Sequence, residues 1–138
     1  MKKLLISIIM FASCLAGYSP KSNTLMIVNQ NPANPYLKLF KAVSIVESNN
    51  DPLAYNSQEE ARGIVQIRPV RILDYNRRTG KRYSRKDLFN PQISKEIFMY
   101  YATQFSPCDI EYCAKAWNGS GVMVIAYWHR VKSVINRL

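Results

Sequence analysis

The stretch YLKLFKAVSIVESNNDP, residues 36–52, sets Tyr36, Phe40, Val43 and Glu47 at steps of four, three and four. That spacing is one face of an amphipathic helix. Asn49-Asn50-Asp51-Pro52 ends it, because Pro52 disfavours a helical residue before it. The helix thus carries an acid on its apolar stripe. A carboxylate placed there loses hydration, which favours its neutral form, and the helix C-terminal dipole pushes the same way. Substantial protonation near neutral pH requires a rise of about 2 units, roughly 2.7 kcal/mol. A carboxyl held in that form can protonate a leaving-group oxygen, as glycoside cleavage requires. Against this stands the ordinary reading: a helix-end Glu is more often solvated or salt-bridged.

Working outward, GIVQI at 63–67 is a short β-prone apolar run and reads as an extended strand. Helix resumes at Pro69 with Ile72, Leu73 and Tyr75 as apolar contacts, and Thr79-Gly80 stops it. Ser84 and Asp87 form a weak helix start, and Asn90-Pro91 a stronger one. The helix after Pro91 carries Ile93, Ile97, Tyr100, Tyr101 and Phe105 as its buried stripe. A short helix after Pro107 holds Tyr112, Ala116 and Trp117 until NGSG at 118–121 breaks it. The last helix uses Val124, Tyr127, Trp128, Val131, Ile135 and Leu138. Five to six helices with at most a short β element make a mainly α domain.

The 138 residues, 48% of them hydrophobic, suit one small core. Residues 1–16 show two lysines, an apolar run over 4–12 and small residues after it, the layout of a bacterial export signal. The run is about half the roughly 20 residues of a membrane span. FASC at 11–14 resembles a lipobox that would lipidate Cys14 and anchor the chain to a membrane; cleavage after Ala16 competes with it. The expected location is therefore periplasmic, or membrane-anchored as a lipoprotein. Residues 17–35 are polar, contain NPANP and read as a tether, leaving 36–138 as the folded domain. In an oxidising compartment Cys108 and Cys113 can pair, provided that Cys108 precedes its helix; two buried thiols are the alternative.

Nineteen Lys and Arg stand against nine Asp and Glu, a net charge of +10 that falls to +8 when Lys2 and Lys3 leave with the signal. Such a surplus suits an anionic partner. The export signal argues against nucleic acid and for cell-wall polymer or anionic lipid head groups. With one His, His129, and two Cys beyond the signal, no metal-ligand cluster forms, and no cofactor motif is present.

Three ordered fragments carry a resemblance. Glu47-Ser48 is followed by Asp51-Pro52 and Ala54, then by Gly63-Ile64-Val65-Gln66-Ile67 with Arg68-Pro69, and much later by Ala116-Trp117-Asn118-Gly119. Their order and spacing over about residues 40–131 resemble the lytic transglycosylase (SLT) and goose-type lysozyme superfamily, whose signature runs Glu-Ser, Asn-Pro, GLMQI, AYNAG. WNGSG with Tyr127-Trp128 is also similar to invertebrate-type lysozymes. Besides Asp51 for the Asn and Ile64-Val65 for Leu-Met, the chain departs from the pattern in four further places. Asn56 takes the Ser position, one extra residue precedes Gly63, Glu60 replaces a Gly, and Trp117 replaces the motif Tyr.

The resemblance implies a lysozyme-like fold and a monomer that cleaves the MurNAc–GlcNAc bond of peptidoglycan glycan strands. Glu47 becomes general acid and then base. Gln66 and Asn118 line the cleft, Ser48 and Asn56 give polar support, and Trp117 stands near the acid in place of a Tyr that can hydrogen-bond it. Plainer readings stand beside these: Gln66 satisfying loop backbone, Asn118 capping a helix, Trp117 filling the core. The transglycosylase branch uses no second carboxylate, whereas a muramidase often does. Asp51, Glu59, Glu60 and Asp74 are the candidates for it, and none has spacing that singles it out. His129 falls off the last helix's apolar stripe. A glycan-binding module without activity is the rival from another class.

Overall fold

The computed structural model of the chain describes residues 34–105 and 109–138. The export signal, Cys14, the tether up to residue 33 and Cys108 lie outside the described residues.

Helix α1, Pro35–Ser48, starts with the Asn34 side chain accepting the Tyr36 N–H at 3.0 Å and Pro at the first helical position. It buries Tyr36, Leu39, Ala42, Val43 and Ser44. Its stop comes before Pro52. Asn49 adopts a left-handed φ of 54° with its N–H on Ile45 O, and Asn50, φ 65°, donates its N–H to Ser44 O. These bonds satisfy carbonyls that the helix end leaves open, and Asn is the side chain that best tolerates this conformation after Gly.

The expected strand at 63–67 is a turn. The strands are β1, Tyr55–Asn56, and β2, Ala61–Arg62, antiparallel with Tyr55 opposite Arg62 and Asn56 opposite Ala61. Beyond β2 the chain folds back at once. Gln66 N–H donates to Gly63 O at 3.0 Å, and Arg62 and Ile67 exchange both backbone bonds at 3.1 and 2.9 Å. Gly63 at φ 79° and Gln66 at φ 50° make the reversal possible. The apolar character of the run goes into burial, Val65 and Ile67 being fully inaccessible. Gly63 is required by space too: a Cβ there would lie 2.0 Å from Leu88 O.

Helix α2, Pro69–Thr79, ends at Gly80 in the left-handed region. It buries Ile72 and Tyr75, but Leu73, expected inside, is 64% exposed. A 3-10 turn, Arg85–Phe89, is capped reciprocally by Ser84 and Asp87 and buries Leu88. Helix α3, Pro91–Phe105, presents Ser94, Ile97, Phe98, Tyr101 and Ala102 to the core. Phe98 and Ala102 thus replace Ile93 and Phe105, which are only partly buried. Helix α4, Ile110–Asn118, buries Cys113, Ala114 and Trp117 and turns Tyr112 outward. Helix α5, Met123–Ile135, buries Tyr127, Trp128, Val131 and Val134, and Leu138 lies exposed beyond it.

The fold is mainly α and of the lysozyme-like class, with α1 lying against α3, α4 and α5. Leu39, Ile97 and Phe98 are essentially inaccessible, each worth about 1.5–3 kcal/mol of burial. Phe98 packs tilted on Trp117 with ring centroids 4.7 Å apart, joining α3 to α4. Cys113 is buried on α4, with Sγ 3.2 Å from Ala102 O.

Candidate active site

The last turn of α1 delivers Glu47 to a cleft of about 250 Å³. The opposite walls come from three places. Asn56 ends β1 and Gln58 and Glu59 follow it in the β1–β2 loop, Gln66 belongs to the tight turn, and Trp117 and Asn118 to the end of α4. Arg68 and Arg71, at the start of α2, complete the lining. Residues more than 60 positions apart in sequence are thereby brought to one acid.

Glu47 is largely removed from water, and burial is the main cause raising its carboxyl above the usual range. The Tyr127 hydroxyl, donating to Oε1 at 2.8 Å, pulls the other way, as do the cations Arg68 and Arg130, while Glu59 adds a small push upward. Burial wins. Tyr127 itself is held far above its ordinary range by burial and by the facing Glu47, so it remains a donor.

Gln66 both lines the cleft and satisfies loop backbone: Nε2 donates to Gly63 O at 3.0 Å and Ala54 O at 3.2 Å. Asn56 Oδ1 accepts the Gln58 and Glu59 N–H groups at 3.0 and 3.4 Å, shaping the loop over the cleft. Ser48 does not line the cleft. Its hydroxyl donates to Ile64 O at 2.8 Å, with Ser44 O also in reach at 3.2 Å, and so ties the end of α1 to the tight turn.

Trp117 is 5% exposed, and its indole N–H goes to Val65 O at 3.2 Å, not to Glu47. The hydroxyl that meets the acid comes instead from Tyr127, which the sequence places on the core stripe of α5 and beside Trp128 in a lysozyme-like pattern, with no role at the acid. A buried Tyr must find a partner for its O–H, and that requirement was the available signal. Arg71 was likewise unforeseen. Its guanidinium lies 4.0 Å over the Trp117 ring, and Nη2 donates to Trp117 O at 3.1 Å.

Of the four candidate second acids, only Glu59 lines this cleft. It is forked onto Arg68 at 2.8 and 3.1 Å. Asp51 caps the Leu53 N–H, Glu60 pairs with Arg85, and Asp74 lines a different cavity. His129 is exposed on α5. Among the described residues no group of three or more His, Cys, Asp or Glu could hold a metal ion.

The family model that matches is the transglycosylase SLT domain, over residues 25–127. The chain belongs to that family. Neither the curated proteins nor the solved structures gave a match. The family is one of transglycosylases that work on peptidoglycan, so membership implies a cell-wall substrate and a place outside the cytoplasm. Within this SLT domain the three ordered sequence fragments converge, Glu47 from the first, Gln66 from the second and Trp117-Asn118 from the third.

Proposed function

We propose that this SLT domain cleaves the MurNAc–GlcNAc bond of peptidoglycan by lytic transglycosylation, with Glu47 as the single acid and base. The observation that carries the reading is a carboxyl raised by burial, fixed by one hydroxyl and facing a polar cleft of sugar size. Because Tyr127 donates to Oε1, that oxygen is an acceptor, and the acidic proton belongs on Oε2. Glu47 gives this proton to the glycosidic oxygen as the bond to the anomeric carbon breaks. The resulting carboxylate takes the proton of the muramyl 6-hydroxyl, whose oxygen attacks the same carbon and closes a 1,6-anhydro ring.

The polar neighbours have matching tasks. Gln66 spends its amide nitrogen on Ala54 O and Gly63 O, so it offers a sugar hydroxyl its acceptor oxygen. Asn118 and Asn56 flank the same space, and Trp117 supports the wall from the core. Arg68 and Arg130 favour the carboxylate once the proton has left.

Hydrolysis by a muramidase mechanism is the second reading, and the presence of Glu59 in the cleft is the observation that favours it. Its engagement by Arg68 in a two-point ion pair opposes a role in activating water, so we favour the intramolecular attack. Digestion of purified sacculi by wild type and Glu47→Gln, with products read by mass, separates the readings. Anhydro-muropeptides that disappear in the variant are expected. Reducing ends would establish hydrolysis, and binding without products would leave a glycan-binding module. Work on the wall also fits the export layout of residues 1–16, whether the signal is cleaved after Ala16 or lipidated at Cys14.

A further inference from the structure

Beyond Asn118 the chain turns through Gly119 and Gly121, at φ 121° and 114°, and a Cβ at Gly121 would meet nothing within 4 Å. The turn therefore stands clear of the fold. It leads into Val122, 91% exposed, Met123, 68%, and Ile125, 61%, at the start of α5. Single exposed apolar residues are ordinary, but a contiguous cluster that the core does not use marks a contact surface.

The helix behind this tip is cationic. Residues 112–138 contain Lys115, Arg130, Lys132 and Arg137 and no Asp or Glu. With Tyr127, Trp128, Val131 and Val134 turned to the core, the helical repeat puts Val122, Ile125 and His129 on the outward side of α5 and the cations at its edges. Arg130 and Arg137 line one edge with Ser133, and Lys132 lines the other with Asn136. The acids that come near belong to the start of α4, and both are engaged: Glu111 with Lys115 at 2.5 Å, and Asp109 as acceptor of the Tyr112 N–H at 2.9 Å. Helix α1, on the other side, has Glu47 as its one acid, and that lines the cleft.

A partner for this surface must take in aliphatic side chains at one point and offer negative charge on either side of it. A glycan does neither job, since Val, Met and Ile give a sugar no hydrogen bond and no aromatic face. An anionic bilayer does both: the tip enters the acyl boundary, and the long cationic side chains at the edges of α5 reach up to the head groups. The contact lies on the membrane and does not cross it, because no helix among the described residues is long and apolar enough to span one. We infer that the α4–α5 tip and the outward face of α5 dock this domain on the surface of an anionic lipid bilayer. The turn leaves directly from Asn118, so docking holds the α4 wall of the cleft beside the lipid surface.

The test is sedimentation of the full chain with phosphatidylcholine vesicles that contain or lack phosphatidylglycerol, together with hydrogen exchange read along the backbone. The variants are Val122→Ser/Met123→Ser/Ile125→Ser and Lys132→Gln/Arg137→Gln, with Glu47→Gln as a control; circular dichroism confirms folding. Residues 1–33 are the same in every protein, so what they add cancels in the ratios. Wild type should bind the phosphatidylglycerol vesicles, and the amides of 122–126 should exchange more slowly there, since the first amides of a helix have no acceptor within it and respond to contact. The triple variant should bind at least ~10-fold more weakly. The double variant should lose roughly 25-fold at low salt, about fivefold per cation. Glu47→Gln should bind as wild type does, which separates docking from the reaction.

Equal binding to both kinds of vesicle overturns the inference, as does wild-type binding by the triple variant or protection that misses 122–126. Polyglutamate supplies the comparison with an acidic protein. If it is bound as tightly as the vesicles and without regard to the triple substitution, the face is a site for acidic protein and not for lipid. Lipid-free sacculi should be cleaved alike by wild type and both multiple variants. A loss of cleavage confined to the triple variant would put the tip against the glycan and overturn the docking.

Discussion

Tyr127 on α5 donates its hydroxyl to Glu47 Oε1 on α1 at 2.8 Å, from 80 positions along the chain. The two helices pack directly on one another, so the bond is a product of the core as well as a feature of the cleft. Tyr127 is 2% exposed, which holds its ring in one place and lets it fix the orientation of the carboxyl. Burial raises Glu47 and this bond restrains the rise. The balance determines the pH at which the acid gives up its proton.

Tyr127→Phe keeps the buried ring and removes only that donor. Activity on peptidoglycan should fall by about tenfold to a hundredfold, the equivalent of roughly 1.5–3 kcal/mol for a hydrogen bond to a charged group. Because the bond lowers the Glu47 pKa, its loss must raise it, and the alkaline limb of the rate profile should move to higher pH. A profile that keeps its limb while falling in height would show that Tyr127 acts on something other than Glu47.

Burial of Glu47 also makes a prediction about stability. Its folded pKa is raised, so between the unfolded value and the folded one the folded chain binds the extra proton. Its contribution is therefore full below the unfolded pKa and is lost as pH rises through the folded one. Glu47→Gln is neutral throughout and lacks this loss. The difference in melting temperature, variant minus wild type, should be more positive at pH 8 than at pH 4. Equal differences at both pH values would mean that Glu47 titrates as it does in water.

Much of the fold could be read in advance because caps and breakers are local. Pro69, Gly80 and Pro91 sit at the helix ends where the chain places them. Glu47, Gln66 and Asn118 were legible through an ordered pattern, and they share one cleft. What failed was whatever depends on a neighbour. GIVQI has strand composition, but contact with Leu88 and the positive φ angles of Gly63 and Gln66 make it a plug. Leu73 and Tyr112 sit on short helices, where a small rotation of the buried stripe turns a side chain outward. Tyr127 looked like core because it is core, and only the partner of its hydroxyl gives it a second task.

Asp74 is a sensitive report on the cavity that it lines outside the cleft. Its carboxyl is lowered from 3.8 to about 2, first by the Tyr101 hydroxyl and then by Arg77, with Arg78 adding to the effect. A depressed folded pKa gives stability that is present above the unfolded value and is lost as pH falls through about 2. In Tyr101→Phe the largest cause is gone, and the carbon-13 carboxyl resonance of Asp74 should titrate closer to 3.8. A midpoint that stays near 2 would assign the depression to the two arginines alone.

Gly63→Ala tests whether the tight turn is held by packing. The position has φ 79°, costly for any residue with a Cβ, and the new carbon would meet Leu88 O at 2.0 Å and Ser94 Oγ at 3.0 Å. The carbonyl cannot withdraw freely, because the Ser94 hydroxyl donates to it at 2.7 Å from α3. Overpacking of this kind costs about 1–3 kcal/mol, and the strained φ adds to it. The urea midpoint should fall with the slope unchanged, and melting should drop by at least ~4 °C. Because Gln66 closes the same turn and lines the cleft, activity should decline more than the folded fraction does under the assay conditions. Activity that tracks the folded fraction would show that the cleft wall tolerates a shift of the turn.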